Sequence, residues 1–216
     1  METNVIFLLK FGDKENIEKL FEKGEIYMNT ISLFRNFDKK EVGDIYEGVF
    51  RIKNYKNSKI TLKLPKKDLL LNSKELQLRF NYKDHVGNIY STYAIHDKLL
   101  RRKQVHKLDK KMLVFGKYCL LINDVNRFLE LILDYFKKNN INYNHNLVSY
   151  FDYSKKDLEL NLYCKSKKYS YQKEHRIIAY TQLDEPLKFE IGNMSEFAQI
   201  YKSEDVINSM RLKFNK

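Results

Sequence analysis

Three polar side chains at alternate positions, Gln172, Glu174 and Arg176, stand at the head of the apolar run Ile177-Ile-Ala-Tyr180. On a β-strand successive side chains point to opposite faces, so these three are expected on one face. Such a row is either a solvated edge or a binding site. In a site, the three would offer a carboxylate, an amide and a guanidinium side by side as hydrogen-bonding groups for a ligand. Asp44, Glu47 and Asp152 are the other carboxylates in suggestive places. Asp44-Ile-Tyr-Glu47-Gly48, like Glu174, lies where a loop enters a strand, a common place for catalytic groups. The plainer expectation for each is an ion pair: Glu47 with one of the many lysines, Glu174 with an arginine or lysine across the sheet.

Other chemistries find less support. The five histidines, His85, His96, His106, His145 and His175, make no metal-binding pattern. No metal is therefore assigned from spacing. Cys119 and Cys164 lie alone in apolar or strand-like runs and read as free thiols of a reducing compartment. There is no glycine-rich phosphate loop and no Gly-x-Ser-x-Gly elbow.

A net charge of +12 favours anionic partners. Two stretches concentrate it, 53–67 and 98–111. Lys63, Lys66, Lys67, Arg101, Arg102 and Lys103 are the candidate nucleic-acid contacts. Tyr55, Phe80, Tyr82, Tyr90 and Tyr93 are interleaved with them as candidate stacking groups. The alternative is a solvated basic face. No apolar run is long enough to span a membrane, and the five apolar residues from Val5 are too few for a signal-peptide core. The expectation is a cytoplasmic protein without membrane contact; oligomeric state is left open.

The elements that must hold these residues alternate short helices with runs of strands. Val5–Phe11 reads as a buried strand, followed by a helix with Asp13 as N-cap and Gly24 past its end. Glu25–Asn29 reads as a strand, Ile31 to Phe37 as a turn of helix, and 38–44 as a polar loop. Strands are expected at Tyr46–Ile52, Lys59–Leu64, Gln77–Tyr82 and Ile89–Ile95, with a hairpin turn at Val86-Gly87-Asn88. Leu99–Leu108 is helix or loop, and Met112–Ile122 a strand broken at Gly116. Asp124 caps a helix to Lys138 whose Val125, Phe128, Leu129, Ile132, Leu133 and Phe136 form a core stripe. Strands follow at Val148–Tyr153, Leu158–Cys164, His175–Thr181 and Leu187–Ile191, then a helix capped by Ser203. The expectation is a single α+β domain over 1–216, mixed and mostly antiparallel, with few helices and a strand-rich basic insertion at about 55–115.

Leu20-Phe-Glu-Lys-Gly-Glu-Ile-Tyr-Met-Asn-Thr-Ile-Ser-Leu-Phe-Arg35, then 43–48, then Tyr169-Ser-Tyr-Gln-Lys-Glu-His-Arg176 resemble the two ends of a bacterial family of unknown function. That family accompanies abortive-infection and phage-defence genes. The stretch 55–145 carries no part of the resemblance. A more distant resemblance is to ADP-ribosyltransferases, whose late Gln/Glu-x-Glu matches Gln172 and Glu174. It implies NAD as the bound dinucleotide and Glu174 as the carboxylate at its ribose. It places Lys10 on the first strand, Tyr27, Asn29, Thr30 and Ser32 in the second-strand motif, and Phe34 or Tyr171 against the nicotinamide, with Arg176 beside them. Lys10 stands where those enzymes usually carry Arg or His, and the second strand lacks their Ser-Thr-Ser. Asp44 and Glu47 have no counterpart there. Two other readings stand beside it: a non-catalytic basic module that binds nucleic acid or an acidic protein complex, and a metal-dependent nuclease using Asp44, Glu47 and Glu174.

Overall fold

The structure, a computed structural model, describes residues 3–36, 43–82, 87–100 and 106–211. The chain opens with β1 (Val5–Gly12), α1 (Lys14–Lys23), β2 (Glu25–Thr30) and α2 (Ile31–Asn36). Ile17 and Leu20 bury one side of α1, and Gly24 ends it with a left-handed φ of 64°, its N–H bonded back to the last turn. Asp13 occupies the N-cap but makes no side-chain capping bond.

Next come β3 (Val49–Leu62) and β4 (Leu69–Asn81), one antiparallel ribbon paired from Val49↔Asn81 to Leu62↔Leu69. The two strands expected at 46–52 and 59–64 are thus a single one. Asn54 to Ser58, polar enough to read as a turn, stay in the strand because β4 pairs with them on both sides of Asn57, which is left unpaired at φ 50°. The ribbon replaces the broader insertion expected at 55–115, since β5 (Asn88–His96) belongs to the main sheet. The expected hairpin turn includes Val86, which lies outside the described residues.

After α3 (Asp97–Leu100), Lys110–Phe115 is a 3-10 turn, not the start of a strand; the Asp109 carboxylate accepts from Lys111 N–H at 2.9 Å and winds it. Only Tyr118–Ile122 is strand, β6. Helix α4 (Val125–Lys138) forms as its stripe predicts, with Asp124 accepting from Arg127 N–H at 3.0 Å. Then follow β7 (Asn142–Leu147), β8 (Ser149–Phe151), β9 (Leu158–Glu159), β10 (Cys164–Ser166), β11 (Glu174–Tyr180), β12 (Leu187–Glu190), β13 (Ala198–Lys202) and α5 (Ser203–Ser209). The expected strand at 158–164 is interrupted where Asn161 accepts from Tyr163 N–H in a side-chain turn. Ser203 is the first helical residue, and its buried hydroxyl caps nothing.

The fold is mixed α+β with mostly antiparallel pairing; β8 and β10 are the parallel pair among the described strands. Eight strands form the main sheet, and its centre is β5. One edge of β5 pairs with β11 from Asn88 to Tyr93. The other edge is divided: β1 takes Tyr93 to His96, and β2 takes Asn88 and Ile89. Between them, Tyr90, Ser91 and Thr92 have no strand beside them. The sheet is therefore split, with β1-β6-β13 on one side of the gap and β2-β12 on the other.

Alternation along the strands sends neighbouring residues to different cores. Leu8, Tyr90 and Ala94 join α1 and α4 on one face, through Ile17, Leu20, Phe128, Ile132 and Phe136. Leu9, Tyr93 and Ile95 pack on the other face with Met112, Val206 and Ile207. Ile31, Ile89, Leu162 and Ile178 form a smaller cluster, and Val49, Ile52, Tyr153 and Leu160 anchor the root of the ribbon. Among the described residues no helix is long and apolar enough to cross a membrane.

Candidate active site

The gap in the sheet opens into a cleft of about 700 Å³ that reaches both faces of β5. Lys10, Tyr27, Asn29, Phe34, Glu47, Gln172, Glu174 and Arg176 all line it. Lys10 and Arg176, far apart in sequence, thus line one cleft because β5 pairs with strands from both chain ends.

Strand β11 starts at Glu174, so Gln172 is not on it; it closes the 3-10 turn Lys167–Gln172, and Lys173 makes the corner at φ 43°. Gln172 still reaches Glu174 through a shared donor. Buried Lys165 sends Nζ to Gln172 Oε1 at 2.7 Å and to Glu174 Oε1 at 2.5 Å, with the Tyr169 ring 4.8 Å below it. Arg176 is 2 % exposed and holds two carboxylates: Nε donates to Glu174 Oε2 at 2.9 Å, while Nη1 and Nη2 grip Glu47 at 2.8 and 2.9 Å. Nη1 also donates to Leu162 O. Ser91, opposite Arg176 in the gap, adds a bond to Glu174 Oε2 at 3.1 Å. Both carboxylates are thus ion-paired, but Glu47 takes Arg176 and not a lysine, and Glu174 takes Arg176 of its own strand and Lys165 of β10 and not a partner across the sheet; Glu174 is buried on a central strand, not on a solvated edge.

Burial alone would push the Glu174 carboxyl up, but Lys165 and Arg176 outweigh it and hold the group at about 2. The same two carboxylates hold Arg176 cationic against its burial. Lys10 reaches from β1 into the gap, donating to Ser91 O at 2.8 Å with the Tyr90 ring 4.0 Å away. Burial lowers its amine to about 8, with Glu174 pulling the other way. The wall thus carries a carboxylate ionised at any ordinary pH, among Lys10, Lys165 and Arg176.

Two polar atoms on the lining residues have no hydrogen-bond partner among the described residues: Asn29 Oδ1 and the Tyr90 hydroxyl, both buried. A buried acceptor without a donor costs free energy unless a ligand or water satisfies it. Tyr27 stands half-exposed at the rim.

Four other expected site residues lie elsewhere. Asp44 is buried off the cleft, accepting from Tyr46 N–H at 3.0 Å, its carboxyl pushed up by burial. Thr30 Oγ1 accepts from Leu33 N–H at the start of α2, and Ser32 Oγ donates to Asp184, so both hydroxyls are engaged off the cleft. Tyr171 packs against the Leu9 cluster with Lys111 5.2 Å over its ring, which leaves Phe34 as the aromatic of that expected pair on the cleft wall. Tyr90 and Tyr93 are core residues at 3 % exposure and have no face for a base. Lys63, Lys66 and Lys67 are exposed at the far end of the ribbon; Arg101, Arg102 and Lys103 lie outside the described residues.

Among the described residues no three His, Cys, Asp or Glu side chains gather where one metal ion could hold them. The Arg176 guanidinium fills the space between Glu47 and Glu174 that a shared cation would need.

Lys165 and Ser91 complete the site without having been singled out, and Tyr90, expected to stack a base, instead puts its ring beside Lys10. Nothing marks Lys165 apart from Lys167 and Lys168 in the same run. Ser91 and Thr92 did leave a trace, as hydroxyls inside the otherwise apolar Ile89-to-Ile95 strand. Compared with protein-family models, curated proteins and solved structures, the chain matches none of them.

Proposed function

We propose that the cleft binds NAD and that the protein is an ADP-ribosyltransferase-like enzyme of bacteria–phage conflict, modifying a macromolecular target. One observation carries this reading: a split sheet puts a permanently ionised, buried carboxylate, Glu174, on the wall of a cleft of dinucleotide size. The residues fit such a ligand. Asn29 Oδ1 offers an unmet acceptor for an amide or hydroxyl donor. Phe34 and Tyr27 offer ring faces, and Lys10 a cation for a diphosphate.

NAD supplies an ADP-ribosyl group whose ribose carbon gains positive charge as nicotinamide departs. Glu174, fixed by Lys165, Arg176 and Ser91, stabilises that charge by standing ready in a water-poor site, without reorganising. Its Oε1 accepts one bond, from Lys165, and keeps a lone pair for a ribose hydroxyl. Gln172 and Lys165 orient the carboxylate; Arg176 and Glu47 tie it to the other chain end.

The test is calorimetric titration with NAD, together with chromatography of nicotinamide released in cell lysate. Glu174→Gln alone leaves Lys165 under-compensated, so it is paired with the double variant Lys165→Met/Glu174→Gln, which removes one charge of each sign. The expectation is NAD binding by the wild type and no release by either variant. A wild type that neither binds NAD nor releases nicotinamide sinks the reading, as does release that survives in the double variant.

A further inference from the structure

We infer that one face of the β3–β4 ribbon is a track for single-stranded nucleic acid. From Arg51 to Arg79 the ribbon carries nine lysines and arginines against Asp68 and Glu75, seven of the chain's twelve net positive charges. It is two-stranded and about 40 Å long for strands of this length. β9 pairs only with Arg51 and Ile52 at its root.

Register and alternation separate its two faces. Ile52, Asn54 and Gln77 share the face that packs on the body, where Asn54 and Gln77 both donate to Tyr153 O. Arg51, Lys53, Tyr55 and Lys59 of β3 point the other way, beside Phe80, Leu78, Leu76 and Lys74 of β4. Tyr55 is 40 % exposed and Phe80 37 %. At the root, Phe50 sits 5.2 Å from Tyr82 and 6.4 Å from Phe80, extending the ring surface. That outer face carries cations and half-exposed rings and no acidic residue of β3 or β4; Glu159 of β9, at the root, pairs with Arg51 alone.

The chemistry selects the occupant. A row of lysines follows a phosphate backbone, and half-exposed rings between them stack bases that are already unpaired. A duplex would offer its phosphates but hide its base faces, leaving Tyr55 and Phe80 without a role. A second copy of the ribbon would bring like charges together.

The experiment is fluorescence anisotropy of a labelled oligouridylate of about twenty nucleotides with the full chain, over a salt series, against a duplex of equal length. The oligouridylate should bind more tightly than the duplex. Lys53→Ala/Lys59→Ala/Lys74→Ala should weaken binding roughly tenfold or more and flatten the log–log salt slope by about 2. Tyr55→Ala or Phe80→Ala should weaken it roughly fivefold or more while leaving the slope unchanged. Lys137→Ala/Lys138→Ala, on the far end of α4, should change nothing. A duplex bound equally well, a three-lysine variant that binds like wild type, or ring variants without effect would each overturn the inference. None of these readouts involves NAD, and Lys165→Met/Glu174→Gln should bind the oligouridylate as wild type does, so the cleft and the ribbon stand or fall separately.

Discussion

The wall of the cleft and the outer face of the ribbon use the same residue types, lysine, arginine and glutamate, under opposite physical conditions. In the wall, Arg176, Lys165, Glu174 and Glu47 are each at most 8 % exposed by side chain and every charge is matched within 2.9 Å. On the ribbon, the Arg51–Glu159 pair at 2.6 Å is 43 % and 70 % exposed, and most lysines form no ion pair with another described residue. Charge that is buried has to be balanced where it stands. Charge in water is left unbalanced at little cost and is available to something else. The contrast teaches that the net +12 belongs chiefly to the surface, while the site is nearly neutral.

The sharpest way to break this contrast is Arg176→Met. It strands two buried carboxylates and should cost about 3–5 kcal/mol of stability in urea unfolding; a loss under about 1 kcal/mol would mean the network is far wetter than its geometry. Glu174→Gln should cost about 3 kcal/mol by the same logic. The double variant Lys165→Met/Glu174→Gln should recover much of it and none of the nicotinamide release, separating stability from chemistry.

The pH dependence comes next in size. Glu174 sits at about 2 in the folded chain against 4.5 ordinarily, so it binds fewer protons folded than unfolded between those values. Its contribution, on the order of 3 kcal/mol, is complete above about pH 4.5 and is lost as pH falls toward 2. The charged Lys10 amine costs the fold stability where ionised Glu174 adds it, but the pH slope has the same sign: its amine is depressed to about 8 from 10.5, so the unfolded chain binds more protons in that window and stability rises with pH there too. The slope should not exceed about 1.4 kcal/mol per pH unit, and Lys10→Met should abolish it. The smallest effect should be Arg51→Ala, within about 1 kcal/mol in the same unfolding assay.

The sequence made the helices legible where periodicity and punctuation agreed: α4 with its stripe and Asp124, α1 with Gly24. It misplaced elements where polar residues sat in strands. Asn142, Asn144 and Asn146 face solvent along β7 while Tyr143, His145 and Leu147 turn inward, so no strand was expected there. Asn54 to Ser58 misled in the same way within β3. Of the site, Glu47, Gln172, Glu174 and Arg176 were readable as types at spacings, while Lys10, Tyr27, Asn29 and Phe34 came only through the resemblance to ADP-ribosyltransferases. Lys165 was not readable, because its burial comes from the turn that folds 167–172 back over it, and that turn is a tertiary consequence of β10 and β11 meeting different strands. The split edge of β5 was equally hidden, since no local pattern tells one strand to accept two partners in succession.

The contact between Glu47 and Arg176 spans 129 positions of chain. During synthesis the ribosome delivers residues in order, at about 5–20 per second. Strands β1, β2 and β5 are therefore exposed for many seconds before the segment carrying Lys165, Glu174 and Arg176 emerges. Until then Glu47 has no cation to close on and the cleft has no carboxylate at its centre. Any chain cut short before position 174 lacks the group altogether, so under the proposed function the site would wait for residues 165–176 to emerge and pack against β5.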